Sequence, residues 1–581
     1  MRPTRGALHV AVLVIAAALA YWPALDSPFL FDDRPAVVDN ASIRSLTPST
    51  VLSPPNDTPV AGRPLTNVTF AFNYAANGLN PRGYRLTNLA IHILAGLLLF
   101  ATVRRSLQLP RLGDRFGSHA TDLACAAALL WTLHPLHSEV VNYITHRNES
   151  LLGVCYLLAI YATLRAAARD SAGWAAVAVV AALAGVFAKE SIVSLPAAVI
   201  LIDRVLIYDS WAQLLRARKA LYAGFAAMWV VLGIMLSTGA RSAVGFDGGT
   251  SAWVYLLNQA QLIPQYLKLT LWPRALVLDY GMPQPLMLGD VWLQGLLVLA
   301  LIALVIVALV KTPAVGVLGA WFFITLAPTS SIVPISTEVG ADRRMYLPLV
   351  GIIVLFVVGL LAPRKGAVSA PRKGAPDGSA PLPYSRAPLY GVPIILALLM
   401  IWGVTLRNRE YASPLTMAET IVERWPNGRG HFLLGSLLLE AGRRREGMAE
   451  LELSRRDYPG ALFAIATEQL GAGQVAEGIA TIQQFLELMP NHVNSVPARE
   501  MLAAGYAAQG NTAAAEAEAR RLVAVAPRYA RGHDLLGRLL AQKGDFPGAA
   551  AAFRQVLALE PGNAQAQQNL AAIQRLAAGN R

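Results

Sequence analysis

Asp32 and Asp33 stand side by side in Leu30-Phe31-Asp32-Asp33-Arg34-Pro35, a polar stretch directly after the first apolar segment. Charges placed there have no packing role. A carboxylate in such a loop can act as a general base and take the proton of an attacking hydroxyl. Adjacent side chains of an extended loop face opposite ways, so one aspartate is expected to be the base and the other to orient a loop or a hydroxyl. Three further blocks carry chemistry: His134-Pro135-Leu136-His137-Ser138-Glu139 with Arg147-Asn148-Glu149, then Lys189-Glu190-Ser191, then Asp342-Arg343-Arg344-Met345-Tyr346-Leu347-Pro348. Arg147, Lys189, Arg343 and Arg344 are the residue types that stabilise charge growing on a departing phosphate. His134, His137 and Glu139 offer donors at spacings of three and two, yet Pro135 breaks a regular ligand face and no third ligand lies near, so a metal is not favoured. Lys189 and Glu190 also read as interfacial charges with snorkelling stems.

The elements that must hold these residues are apolar. Of 581 residues, 55% are apolar and only 15% charged, and the mean hydropathy is +0.45, which excludes an ordinary soluble enzyme. Cys125 and Cys155 both sit in apolar runs, suggesting neither a disulfide framework nor a zinc site. A span needs roughly 20 apolar residues. Helices are expected near residues 7–23, 86–103, 120–134, 150–168, 172–188, 190–205, 219–237, 291–310, 313–328, 346–362 and 389–406, about eleven crossings by that measure. Residues 252–272 carry Asn258, Gln259, Gln261, Pro264 and Lys268 and are expected to form an external amphipathic or re-entrant segment. The first span reads as a retained anchor rather than a cleaved signal, because Tyr21 and Trp22 continue it as interfacial aromatics.

Basic residues set the sides. Arg2, Arg5, Arg104, Arg105, Arg111, Arg115, Arg165, Arg169, Arg216, Arg218, Lys219 and the loop with Arg364, Lys365, Arg372 and Lys373 all fall on one parity, placed in the cytoplasm by the positive-inside rule. Asp32, Asp33 and the other charged blocks are then outside, where Arg343 and Arg344 oppose that rule and suggest an anionic ligand. Residues 414–581 hold 17 basic and 16 acidic residues, so +12 of the net +13 belongs to the membrane part. Such charge fits topology and lipid headgroups rather than nucleic acid.

Beyond the last span the chain repeats. Gly435, Gly442 and Pro459 recur as Gly537, Gly544 and Pro561, a shift of 102 residues, three times the roughly 34-residue tetratricopeptide period. Four helical hairpins are expected, with small residues at the crossings, a half-repeat at 414–425 and a cap at 563–577. The chain is thus read as all-α: a polytopic membrane bundle at 1–410, then a tetratricopeptide solenoid at 411–581.

The Phe31-Asp32-Asp33-Arg34 loop, followed by Gly62-Arg63-Pro64-Leu65-Thr66-Asn67, resembles the first external loop of the transmembrane and tetratricopeptide-repeat O-mannosyltransferases, type-C glycosyltransferases. The His-Pro-x-His-x-Glu, Lys-Glu and Asp-Arg-x-x-Tyr-Leu-Pro blocks resemble that family's blocks in order, as do Tyr266, Trp272-Pro273 and Asp279-Tyr280. The resemblance implies transfer of a hexose, mannose in the first instance, from a polyprenyl phosphate to Ser/Thr hydroxyls of a secreted or membrane protein. It implies inversion at the anomeric carbon, no metal, and Asp32 as base over Asp33. The donor phosphate and sugar would meet Arg147, Lys189, Arg343, Arg344, His137, Glu139, Glu149 and Glu190, and Arg63 would belong to an acceptor loop. Alanine and arginine richness and short loops point to a bacterial inner membrane with the repeats outside the cytoplasm. Two other classes fit part of the pattern: a lipid-linked glycan ligase or transporter shares the spans, and a non-catalytic scaffold shares the repeats.

Overall fold

Proline and short polar caps start many of the helices. Asn80 accepts from Arg82 N at the head of Pro81–Leu107, and Ser171 and Ser251 accept from Trp174 N and Val254 N at the heads of Ala172–Val186 and Ala252–Leu271. The computed structural model describes residues 5–56, 58–237, 250–361 and 387–579, and its regular elements are helical throughout that range. The chain divides into two units, Met1–Trp425 and Pro426–Arg581.

Among the described residues of the first unit six helices are long and apolar enough to cross a membrane: Gly6–Ala24, Pro81–Leu107, Ile144–Arg169, Trp211–Ser237, Leu288–Lys311 and Tyr390–Glu410. Ala172–Val186, Pro313–Leu326 and Pro348–Leu361 are shorter apolar helices. The protein is a multi-pass membrane protein. Cys125 and Cys155 are buried free thiols. Arg2 and the basic residues of the 364–373 loop lie outside the described residues.

One expectation about this unit is corrected. Residues 190–205 do not form one regular helix: a 3-10 turn (Glu190–Ser194), an eight-residue helix (Leu195–Ile202) and a π turn (Asp203–Ile207) share that stretch. Residues 252–272 form one continuous helix, Ala252–Leu271, with Pro264 inside it. Asn258 and Gln259 face protein, Asn258 Nδ2 donating to Gln284 O (2.8 Å) and Gln259 Nε2 to Val339 O (3.0 Å), while Gln261 and Lys268 are exposed. Those bonds meet the cost of burying the two amides. The helix Pro414–Arg424 lies at the end of the first unit. Arg424 Nη2 pairs with Glu410 Oε1 (2.8 Å), and Arg424 Nη1 donates to Leu276 O (2.9 Å).

The second unit is a run of helical hairpins: Gly428–Glu440 with Arg444–Ser454, Ala461–Gly471 with Val475–Leu488, Ser495–Ala508 with Thr512–Val525, and Ala530–Lys543 with Phe546–Leu559. Ala564–Gly579 follows as a last helix. The turns bear Gly442, Gly473, Gly510 and Gly544 at φ between 75° and 86°, a left-handed backbone that side chains disfavour. At the crossing of the last hairpin a Cβ on Gly537 would come within 2.9 Å of the Phe553 ring, which is why a small residue recurs there.

Candidate active site

The Asp loop is built as a rigid knuckle. Asp33 is fully buried, and its carboxylate accepts from Leu30 N (3.0 Å), Thr145 N (2.8 Å) and Thr145 Oγ1 (2.7 Å). The preceding Phe31 has φ +33°, a strained value for a bulky residue that persists only where the surroundings impose it. Below the loop Asn40 Nδ2 donates to Asn67 Oδ1 (2.9 Å), and Asn67 Nδ2 donates to Ser42 Oγ (2.9 Å) and Val51 O (2.8 Å). Asn40 and Asn67 therefore lock the loop to the helix Pro64–Asn77, an element the sequence reading did not foresee. Asp32 alone of the two aspartates is exposed. Its backbone N–H is held by Tyr143 Oη at 2.7 Å.

Burial pushes the Asp33 carboxyl up to about 6, against its hydrogen bonds and the Arg85 charge. The folded state then binds this proton more tightly than the unfolded chain does. Asp33's contribution to stability should be fully present below pH 4 and lost between about pH 4 and 6 as the buried carboxyl ionises, a swing of roughly 3 kcal/mol. Denaturation of the parent and of Asp33→Asn at pH 4 and pH 6.5 measures it. The advantage of the parent over the variant should shrink at the higher pH, and a growing advantage would contradict the assignment.

From Tyr143 a chain of polar contacts leads inward. Its ring packs on His146 (centroids 4.3 Å apart), and His146 Nδ1 lies 3.0 Å from Glu139 Oε1. Glu139, buried, accepts from Arg343 N (3.0 Å) and Arg343 Nη1 (2.7 Å). Burial raises the Glu139 carboxyl and Arg343 pulls it back down. Arg343 also meets Glu149 (3.8 Å) and Glu338, Lys189 pairs with Glu149, and Arg63 Nη2 lies 3.4 Å from Glu190 Oε1. Beside this network lies a narrow cavity of about 20 Å³ lined by Glu149, Lys189, Ser191, Arg344 and Tyr346 among others. Asp342, next to Arg343, accepts from Val277 N (2.8 Å) and Tyr280 Oη (2.6 Å), and burial followed by the Glu139 charge pushes it up to about 7.

Glu139, Glu149, Lys189, Glu190, Arg343 and Arg63 are thus brought into one charged network. Three other predicted donor residues, Arg147, Arg344 and His137, are buried and held by protein partners. Arg147 is fully buried, with Nε on Asn88 Oδ1 (2.6 Å), Nη1 on Thr69 Oγ1 (3.0 Å), Nη2 on Tyr84 O (2.8 Å) and its guanidinium 4.6 Å from the Phe70 ring. It fastens helices and has no face turned to a phosphate. Arg344 touches the cavity, but its Nη atoms donate to Thr329 O (2.7 Å), Val339 O (3.1 Å) and Glu338 O (3.0 Å). His137 is buried against Trp131 and Tyr346 (centroids 4.5 and 4.8 Å). Its neighbour His134 accepts from Leu136 N and bonds Thr270 O at 3.0 Å. Among the described residues no cluster of three His, Cys, Asp or Glu side chains is placed to hold a metal.

Residues 530–563 match the tetratricopeptide repeat family model. Protein O-mannosyl-transferase Tmtc3 of Drosophila melanogaster is 31% identical over 27% of this chain and 19% of its own length. Protein O-mannosyl-transferase TMTC4 of Mus musculus is 24% identical over 74% of this chain and 64% of its own. Over these stretches the chain is similar to proteins named as O-mannosyl-transferases. It spans less than two thirds of the length of these relatives. Among solved structures, ArnT from Cupriavidus metallidurans bound to undecaprenyl phosphate aligns over 82% of this chain and 79% of its own, at 14% identity and a TM-score of 0.37.

Several residues that shape the site were not singled out from sequence: Tyr143, Thr145, His146, Arg85 and Glu338. Arg85 offered a signal, since a buried arginine near the head of an apolar helix demands partners. It donates to Asn142 O (2.8 Å), Ser27 O and Pro28 O, tying the loop to the helix. Arg147→Ala should accordingly destabilise the fold by about 3 kcal/mol, the scale of hydrogen bonds to a buried charge and the groups left unpaired. Donor affinity per folded molecule should stay unchanged. Thermal unfolding alongside lipid-phosphate titration separates the two, and a lost affinity at unchanged stability would restore Arg147 to the donor site.

Proposed function

We propose that this protein is an integral membrane glycosyltransferase that moves a hexose, mannose in the first instance, from a polyprenyl-phosphate donor to Ser/Thr hydroxyls of a protein. The supporting observation is the division of labour in the Asp pair: Asp33 is buried and spent on the loop, while Asp32 is exposed beside a network rich in Arg and Lys. In this reading the Asp32 carboxylate accepts the hydroxyl proton as the acceptor oxygen attacks the anomeric carbon. The bond from that carbon to the phosphate oxygen breaks, and its electron pair leaves with the phosphate. Lys189 and Arg343 take up the charge. Both cations pair with carboxylates, Lys189 with Glu149 and Arg343 with Glu139 and Glu338, so the donor phosphate must compete with a carboxylate, Glu338 being the more exposed. The order of the sequence blocks and the names of the relatives support the enzyme over a ligase, a transporter or a scaffold.

The reaction is assigned to the extracytoplasmic face of a bacterial inner membrane, from the parity of basic loops. The repeats are assigned to the same side, offering their concave surface to a secreted or membrane protein acceptor. Truncation after Trp425 keeps the Glu410–Arg424 pair. It should spare transfer to a short Ser/Thr peptide while lowering transfer to a long or folded acceptor at least several-fold. Equal loss on both acceptors would mean that the repeats only stabilise the enzyme. A carboxy-terminal reporter active only in the cytoplasm would refute the sidedness.

A further inference from the structure

At the other end of the helix Pro81–Leu107 from the Asp loop lies a larger cavity, of about 520 Å³, lined by Leu99, Leu157, Ile202, Leu318, Trp321 and Val354 among others. Tyr84 and Arg85, near the head of that helix, serve the Asp loop, whereas Leu99 to Leu107, near its tail, serve this cavity. The two sites are separate. Nearly all of the lining is aliphatic or aromatic. The charged members gather on the segment that follows the helix: Arg111, Asp114 and Arg115. Arg111 is exposed and bonds Asp209 and Val205 O. Arg115 is exposed, its guanidinium 4.9 Å from the Phe116 ring. An adjoining cavity of about 710 Å³ shares Arg111, Leu112, Leu206 and Ala314 and adds Arg204 and Trp211. Arg105, in the last turn of the helix, and Arg204 each keep a buried Nε without a hydrogen-bond partner.

We propose that this cavity binds an anionic phospholipid, one acyl chain between the helices and the headgroup phosphate against Arg111, Arg115 and Arg204. Three observations carry the assignment. The volume suits a lipid-sized ligand, within the roughly 300–1,000 Å³ of small-molecule sites. The lining is apolar and lies between helices of a membrane protein, where hydrocarbon rather than water is the available filler. Arg111 and Arg115 line this cavity, and Arg111 and Arg204 the adjoining one, against Asp114 and Asp209, the arrangement in which basic pockets between spans hold anionic headgroups. This site is independent of the transfer reaction, since none of its residues belongs to the Asp32 network.

The test uses the full-length protein reconstituted with equal phosphatidylglycerol and phosphatidylcholine, transferred to detergent, with retained lipid counted by native mass spectrometry. The parent should retain phosphatidylglycerol over phosphatidylcholine by roughly fivefold or more, the effect of one basic residue on an anionic headgroup. Arg115→Gln, at an exposed position, should reduce that preference by about fivefold and leave phosphatidylcholine retention as it was. Val354→Trp, which fills the cavity, should lower retention of both lipids, with a melting curve confirming that the variant is folded. Equal retention of the two lipids by the parent would overturn the proposal. So would a preference that survives the Arg115→Gln and Arg204→Gln pair, or retention untouched by a folded Val354→Trp or Leu318→Phe. Stoichiometric displacement of phosphatidylglycerol by added polyprenyl phosphate would reassign the cavity to the donor lipid and equally defeat it.

Discussion

Asp32→Asn is expected to lower hexose transfer by roughly 10²- to 10⁴-fold, the usual loss when a general base is removed, without altering thermal stability. The basis is structural. Asp32's backbone is fixed by Tyr143 (2.7 Å) and by the knuckle around Asp33, and its side chain is exposed, so an isosteric amide changes the chemistry and leaves the packing alone. Asp33→Asn should do the reverse. It replaces a carboxylate that accepts two backbone N–H groups and a hydroxyl, and it should lower activity only as far as the loop loosens. Rates and melting curves for the two variants, measured on the same preparations, separate the roles. If Asp33→Asn loses turnover with its melting curve intact while Asp32→Asn does not, the base has been assigned to the wrong aspartate.

Arg343→Ala should destabilise the protein by roughly 3–5 kcal/mol, because removing one partner strands buried charge. Glu139 is buried and takes two hydrogen bonds from Arg343, with Glu149 and Glu338 also facing it. Arg343→Lys keeps the charge and loses the fork, so it should fold and bind a lipid phosphate about tenfold more weakly, near 1.4 kcal/mol. Glu139→Gln together with Arg343→Met should recover part of the stability lost in Arg343→Met alone, since residues in direct contact couple. Calorimetry of the folded variants with a polyprenyl phosphate gives the affinities. Unchanged affinity in Arg343→Lys would remove Arg343 from the donor site and leave it a structural clasp.

Legibility in the sequence followed how local the determinant was. The solenoid could be read because glycines at left-handed turns and at helix crossings recur at a fixed spacing, and Gly442, Gly473, Gly510 and Gly544 do occupy such turns. The charged blocks could be located because charge beside apolar segments stands out. Their roles could not be separated, since partners decide those. Arg147 looks like Arg343 in sequence, but its partners Asn88, Tyr84 and Thr69 lie 59, 63 and 78 residues away and each take a hydrogen bond from a different guanidinium nitrogen. Asp32 and Asp33 are likewise indistinguishable until Thr145, more than a hundred residues on, claims one of them. In the 252–272 segment the partners of Asn258 and Gln259 were equally beyond a local reading, since Gln284 and Val339 supply them from 26 and 80 residues away.

The most direct measurement of the central claim is the mass of a Ser/Thr peptide after incubation with the purified full-length protein and a polyprenyl-phosphate hexose. The account predicts a gain of one hexose on a Ser or Thr, in the anomeric configuration opposite to that of the donor. The same peptide incubated with a nucleotide-linked hexose should stay unmodified. A hexose gained from the nucleotide sugar, or a peptide left unmodified by a folded protein supplied with several lipid-phosphate hexoses, would contradict it.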